Sequence, residues 1–287
     1  MPEMLIFGCG YTATVFAKEM LARGWSVTGT TRGAEKAEKL RALGIKPLIW
    51  PGEQIDKALQ AATHVLISSG PDADGDPVLN ALGPQFAERA PDFEWVGYLS
   101  TTGVYGNRDG GWVDESSPVE PTTKRGEYRK QAEAAWMDLH TKHGLPLHIF
   151  RLAGIYGPGR GPFKKVQAPD AKRIIKAGQI FSRTHVEDIA QVLWASISHR
   201  NPGAIYNVCD NDPAPPEAVL AEAARLLGIP VPPAVSFEEA DMTPMARSFY
   251  SDSKKVSNRR ILEELGVTLK YPDYRSGLRA MLPLETS

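Results

Sequence analysis

The sequence predicts an α/β protein: a doubly wound parallel sheet followed by a smaller C-terminal lobe. Three observations carry this. Apolar runs alternate with helical patterns through the first half of the chain, glycines stand where those helices should stop, and a glycine-rich turn joins the first apolar run to the first helix. Strands that alternate with helices pair in parallel, because each crossover helix returns the chain to the same end of the sheet.

The elements follow in order. "EMLIFG" is the first strand, and "YTATVFAKEMLARG" is a helix closed by Gly24. "WSVTGTT" is the second strand, and "GAEKAEKLRALG" is a helix closed by Gly44. Glycine ends both because it enters the left-handed C-cap conformation without steric cost. "IKPLIW", "THVLISSG", "EWVGYLSTTG" and "PLHIFRLAG" supply the third to sixth strands. The character changes after Tyr156. "GPGRGPFKKVQAPDAKR" is loop-rich and basic, "THVEDIAQVLWASISHR" returns to helix, "AIYNV" to strand, and "DPAPPEAVLAEAARLLGIPVPPAV" is a helix bracketed by prolines. These proline-rich pieces are too short and too near helix caps to be linkers. The chain therefore divides into a sheet domain over 1–157 and a lobe over 158–287 that interleaves with the last sheet elements. No repeat of solenoid length is visible.

Composition narrows the partners. The 287 residues include 42% hydrophobic and 23% charged side chains, an ordinary globular balance. Net charge is −1, from 33 basic and 34 acidic residues. Such a surface has no overall attraction for nucleic acid or an anionic membrane, which leaves a small-molecule substrate and a monomer or homodimer as the expectation. Cys9 and Cys209 are the only cysteines, which suits a reducing compartment. No apolar run reaches transmembrane length, and "MPEMLIFGCG" begins as a strand rather than a leader. A cytoplasmic protein is expected. The six histidines show no metal-ligand spacing, and His185 is read as a helix cap or packing residue.

"GCGYTA", Gly8 to Ala13, has the G-x-G-x-x-A form between the first strand and the first helix. Gly8 permits the tight turn, Gly10 lets a pyrophosphate approach the backbone, and Ala13 keeps the helix close to the sheet. Tyr11 and Thr12 open the helix, whose N–H groups face the phosphates. This is the signature of an NAD(P)-binding Rossmann fold. The second strand ends at Thr30, Thr31 and Arg32, without the acid that would hold a ribose 2′-hydroxyl. Two hydroxyls and a guanidinium suit a 2′-phosphate, so NADP is the expected cofactor, with NAD as the alternative. Ser68, Ser69 and Gly70 end the fourth strand, placed to line the cofactor or simply to turn the chain. Ser100 and Thr101 end the fifth.

"LSTTGVYG" resembles the S-[ST]-x-x-V-Y-G segment of extended short-chain dehydrogenases/reductases, the nucleotide-sugar epimerase and dehydratase group. "RLAGIYGPGR" is similar to their "RxxNVYGPG", "FSRTHVEDIA" to "FIHVDDLA", and "SKKVSNRRILEELG" to their C-terminal "sKlxxxLG". The matches run in order over nearly the whole chain. The G-x-G-x-x-A variant together with "RLAG" points to an atypical, YeeZ-like subgroup.

The resemblance implies a Ser or Thr that orients a substrate carbonyl, a Tyr that moves the proton, and a Lys four residues later. A free phenol has a pKa near 10, and a cation one helical turn away favours its ionised form. Thr101 takes the hydroxyl position. The dyad does not appear on the following helix. Anchoring on Tyr128 puts Ala132 at i+4. Anchoring on the family's K-x-x-A-E against "RKQAE" puts Arg129 at the Lys position and Arg125 at the Tyr position. An intermediate register gives Glu127 and Gln131. The chain's Y-x-x-x-K, Tyr250 to Lys254, lies in the lobe and is read as coincidence. Tyr128 falls on an apolar stripe with Ala132, Ala135, Trp136 and Leu139, so packing is the favoured reading over proton donor, while Arg129 is placed to hold the nicotinamide ribose. The family's Asn before V-Y-G is Gly154 here, which weighs against a nucleotide-sugar diphosphate. Tyr105, Arg160 and Arg183 remain candidate substrate contacts, weighed against ordinary solvated charge for the arginines.

The sequence thus predicts an NAD(P)-binding oxidoreductase or epimerase acting on a small carbonyl or sugar-like substrate without the usual Tyr–Lys pair. The alternative is a catalytically silent NADP-binding sensor or regulator.

Overall fold

The computed structural model describes residues 2–52 and 55–285. Strands β1 (Glu3–Phe7), β2 (Ser26–Thr31) and β3 (Lys46–Ile49) alternate with helices α1 (Tyr11–Ala22) and α2 (Ala34–Ala42). Helix α3 (Ile55–Ala61) carries the chain back to β4 (His64–Ile67), and α4 (Pro77–Glu88) leads to β5 (Trp95–Thr101). A short β6 (Trp112–Val113) precedes the long helix α5 (Lys124–His143), and then come β7 (Leu147–Leu152) and β8 (Gly154–Tyr156). The chain continues with α6 (Phe163–Gln167), β9 (Arg173–Ile175) and β10 (Arg183–His185), followed by α7 (Val186–Ser198) and β11 (Ile205–Val208), the last two of which belong to the sheet layer. It ends with α8 (Pro216–Leu226), β12 (Ala234–Ser236), α9 (Pro244–Ser248), β13 (Lys255–Val256), α10 (Arg259–Glu263) and α11 (Tyr274–Glu285).

Seven strands pair in parallel in the order β11-β7-β5-β4-β1-β2-β3. The order reverses at β1, which pairs with both β2 and β4, so the crevice for a ligand opens at their C-terminal ends. The expected strands are all present, and β11 with α7 draws the later half of the chain into the sheet domain. The helices α3 and α4 had no counterpart in the sequence reading. Helix α3 is short, and α4 contains Pro84, which breaks the usual helical signature.

Both faces of the sheet are buried, which explains why its central strands read as continuous apolar runs. Met4 and Ile6 of β1 face one cluster with Phe16, Leu193 and Val192 of α1 and α7. Leu5 and Phe7 face the other, with Leu59, Phe86 and Trp136 of α3, α4 and α5. The lobe has its own cluster, in which Phe163, Leu220, Leu278 and Met281 join α6, α8 and α11. Lobe and sheet domain are stitched together by the β6–β13 pair and by Lys254, whose Nζ donates to the Gly106 carbonyl (2.7 Å). Among the described residues, no helix is long and apolar enough to cross a membrane.

One buried polar network runs beneath the ligand edge. Arg151 of β7 donates to both carboxylate oxygens of Glu133 on α5, at 2.7 and 3.2 Å. Ser100 of β5 donates to the same carboxylate (2.5 Å). Arg151 also donates to the Tyr105 hydroxyl (2.9 Å), which donates onward to Asn207 of β11 (2.7 Å). The network fixes α5 against β5 and β7. Removing one partner of such a pair strands a buried charge, at a cost of about 3–5 kcal/mol. Glu133→Ala should therefore lower unfolding stability by that order in a urea titration. A loss below about 1 kcal/mol would show that the pair is not a structural clamp.

Candidate functional site at the sheet edge

The turn after β1 is built for close approach. Gly8 has φ +76°, and a Cβ there would stand 2.8 Å from the Ser69 amide nitrogen after β4. Only glycine meets both conditions at low cost. The Gly8 amide donates to the Thr30 hydroxyl (2.8 Å), and the Cys9 amide to the Thr30 carbonyl (2.9 Å), which ties the turn to β2. Helix α1 begins at Tyr11 behind Gly10, with no side-chain cap and no acidic residue in its first turn. Its first amides therefore lack partners within the helix and lie at the crevice between β1 and β4. Ser69 adds a buried hydroxyl oxygen that has no hydrogen-bond partner. A glycine cradle, uncapped helix amides and an orphaned hydroxyl together fit the phosphates and ribose of a nicotinamide dinucleotide. Thr12 and Ala13 are buried, and Ala13 packs in the core as the close helix–sheet contact requires.

The tip of β2 corrects part of the expected 2′-phosphate site. Thr30 is buried, and its hydroxyl is committed to Gly8; Thr31 is buried too. Both side chains are covered, and that of Thr30 is already used to hold the turn. Arg32 is exposed.

At the other side of the crevice, Thr101 ends β5 and caps the short 3₁₀ turn Thr102–Tyr105, accepting from the Gly103 amide (3.1 Å). Its hydroxyl proton remains available for donation. Arg129 reaches up from α5 beneath β4 and β5. Its Nη1 donates to the Leu99 carbonyl (2.6 Å) and the Tyr98 hydroxyl (3.0 Å). Its Nη2 lies 3.1 Å from where a Gly70 Cβ would stand, so Gly70 leaves the room that the guanidinium uses. The structure thus brings Gly8, Gly10, Ser69, Gly70, Thr101 and Arg129 to one edge. Ser68 and Ser69 are fastened by their amides to the Phe7 carbonyl.

Tyr128 makes no hydrogen bond to any of them among the described residues. It lies about 100° around the helix from Arg129. It is half-buried, lies outside the core clusters that hold Ala132 and Trp136, and has no hydrogen bond among the described residues. The apolar stripe therefore begins after it. Three further expectations are corrected. Ser100 is buried and donates to Glu133, so its side chain is structural. Tyr105 is fully buried between Arg151 and Asn207, and burial pushes its pKa up to about 12. It belongs to the network rather than to a substrate surface. Arg183 donates to the Phe181 and Ala214 carbonyls (2.9 Å each), a strut inside the lobe, and desolvation lowers its pKa. Arg160 is exposed, with its guanidinium 5.7 Å from the Tyr11 ring centre. Lys254 does not pair with Tyr250. Its Nζ is held by Gly106 and Asp252. His185 caps α7, its Nδ1 accepting from the Glu187 amide (3.3 Å).

Two surface clefts are present, the second of which reaches Tyr11 and Pro158 at the first turn of α1. One, of about 860 Å³, runs along β11 and α10, and its polar lining, including His140 and Arg260, is bonded to the protein itself. The other, of about 690 Å³, lies between α1 and α7. The sequence missed Glu133, Arg151 and Asn207. The match of "RKQAE" contained Glu133 but gave it no role, since its partners are 18 and 33 residues away.

Comparison with known proteins agrees with this geometry. The NAD dependent epimerase/dehydratase family matches residues 86–209. Protein YeeZ of Escherichia coli (strain K12) is 30% identical over 296 residues, covering 95% of this chain and 97% of its own. The structure of a functionally unknown conserved protein from Silicibacter pomeroyi DSS is 57% identical with a TM-score of 0.93, covering 99% of each chain. The dTDP-glucose 4,6-dehydratase from Bacillus anthracis str. Ames, in complex with NAD, has a TM-score of 0.81 at 16% identity, covering 100% of this chain and 97% of its own. At that identity it shows the shared fold alone. With the relationship to YeeZ extending over nearly its whole length, the chain belongs to the NAD-dependent epimerase/dehydratase family of extended short-chain dehydrogenases/reductases.

Proposed function

We propose that the protein is an NADP-preferring oxidoreductase or epimerase that acts on a small carbonyl or sugar-like substrate without a Tyr–Lys pair. The observation that supports this reading is that Arg129 is anchored on the Leu99 carbonyl of β5, the strand that Thr101 ends, while Tyr128 has no hydrogen bond among the described residues. A bound nicotinamide dinucleotide supplies hydride exchange with a carbonyl carbon. The protein's part is to orient the carbonyl and stabilise its oxygen. Thr101 retains a hydroxyl proton to donate to an oxygen that gains negative charge in the transition state. Arg129 holds a permanent positive charge below the edge. It does not exchange protons at neutral pH, so it serves binding and electrostatics rather than acid–base chemistry. Gly154, in place of the family's asparagine, is exposed and offers no side chain to a diphosphate, which favours a small substrate. The same arginine supports a second reading, a silent NADP-binding sensor, because a guanidinium at the lysine position removes the usual proton route.

Cofactor choice tests the tip of β2. Arg32 is the one side chain of the Thr30–Arg32 tip that reaches solvent. NADPH should bind more tightly than NADH, and Arg32→Ala should erase about one to two decades of that difference, the scale of a charge-assisted contact. Equal affinities in the unmodified protein, measured by fluorescence titration, would contradict the preference.

Turnover tests the edge. Once a substrate is in hand, Thr101→Val should reduce kcat about a hundredfold or more with little change in NADPH affinity. Unfolding is followed in parallel, because the substitution also removes the acceptor for the Gly103 amide. Tyr128→Phe should retain most activity. A hundredfold loss in that variant instead would restore Tyr128 as the proton donor.

A further inference from the structure

We infer that Arg160, carried by the lobe, clamps the pyrophosphate of the dinucleotide cofactor from the side opposite the glycine turn. The inference rests on the dinucleotide reading of the crevice and assigns it a residue from outside the sheet domain.

The N-terminus of α1 offers unpartnered amides, but a helix end contributes only about half a unit of positive charge. A pyrophosphate carries more negative charge than that, and a nearby cation would add to its binding. Arg160 supplies one. Its guanidinium is stacked over Tyr11, the first residue of α1, at 5.7 Å, and it is exposed with no ion pair among the described residues. The neighbouring acids are already engaged. Glu187 pairs with Lys270 (2.6 Å), and Glu285 accepts from the Gly159 amide (2.7 Å). Neither forms an ion pair with the guanidinium among the described residues.

The loop that carries Arg160 is built to hold it there. Gly157 and Arg160 exchange backbone hydrogen bonds (3.2 and 2.8 Å), which closes a tight turn. The Tyr11 hydroxyl donates to the Pro158 carbonyl (3.0 Å), so the first residue of the phosphate-binding helix itself anchors the loop. A Cβ on Gly157 would lie 2.5 Å from that hydroxyl and 2.7 Å from Val186, so this approach requires glycine. The orphaned Ser69 hydroxyl belongs to the segment that packs against Gly8 of the glycine turn. An anchored arginine loses less freedom on binding than one on a free loop, so its charge is more fully expressed as affinity. Because the loop belongs to the lobe, the same contact couples cofactor binding to the position of the substrate lobe.

The pyrophosphate is common to both cofactors, whereas the 2′-phosphate belongs to NADPH alone. Fluorescence titrations of NADPH and NADH with Arg160→Met should therefore show both affinities reduced by the same factor, about tenfold or more. Arg160→Lys should recover part of the loss, since a point charge remains without the planar donor pair. The salt dependence of both affinities should be shallower in Arg160→Met. Unchanged affinities for both cofactors in Arg160→Met would overturn the clamp while leaving the dinucleotide reading intact. A loss confined to NADPH would also overturn it, placing Arg160 at the 2′-phosphate. Failure of the unmodified protein to bind either dinucleotide would sink the clamp together with the reading beneath it.

Discussion

The ion pair between Arg151 and Glu133 is the constraint on which the ligand edge depends. It is almost fully buried, with side-chain exposures of 4% and 7%. Burying two charges is costly unless every lone pair and proton finds a partner. Here each guanidinium nitrogen and both carboxylate oxygens have at least one partner, through Ser100, Tyr105 and the bidentate contact itself. The result locks α5 in rotation and height against β5 and β7. Arg129 lies one turn before Glu133 on α5, and Thr101 follows Ser100 on β5. The pair thus sets the spacing of the two groups proposed to meet substrate, without touching substrate itself.

The same logic separates two kinds of hydroxyl at this edge. Thr30 and Ser100 face inward and are consumed by the turn and the network. Thr101 is used only as an acceptor, and Ser69 is not used at all. Residues of similar chemistry, one position apart, therefore differ in availability because a strand sends alternate side chains to opposite faces. On the register that sets "RKQAE" against the family's K-x-x-A-E, the proposed exchange of lysine for Arg129 would change the chemistry without emptying the site. A guanidinium keeps the positive charge and gains fixed hydrogen-bond geometry, but gives up proton exchange.

The fold was legible because its signals are local. "EMLIFGCGYTA" holds a buried strand, a glycine turn and a helix start in eleven residues, and the structure places them as read. The orientation of individual side chains was less legible, because it depends on long-range partners. Nothing near Thr30 in the sequence reveals that its hydroxyl serves Gly8, 22 residues earlier. Tyr105 looks like a surface tyrosine in "TTGVYG", yet it is sealed by Arg151 and Asn207, the latter 102 residues away. Tyr128 fits an apolar stripe by spacing, and Ala132 and Trp136 of that stripe are buried, but Tyr128 is only half-buried and Ala135 is exposed, because α5 also turns Gly126 and Glu133 inward. Helix α4 was missed because its internal proline masks a helix that Asp76 caps well, accepting from two amides.

The central claim is that this edge performs hydride chemistry with a hydroxyl and a fixed cation in place of a Tyr–Lys pair. It is tested most directly by single-turnover transfer from NADPH deuterated at nicotinamide C4 to a panel of small aldehydes, ketones and keto sugars. The account predicts deuterium at the carbinol carbon of at least one product. Tight NADPH binding with no label transferred to any member of the panel would contradict it and leave the silent sensor as the better description.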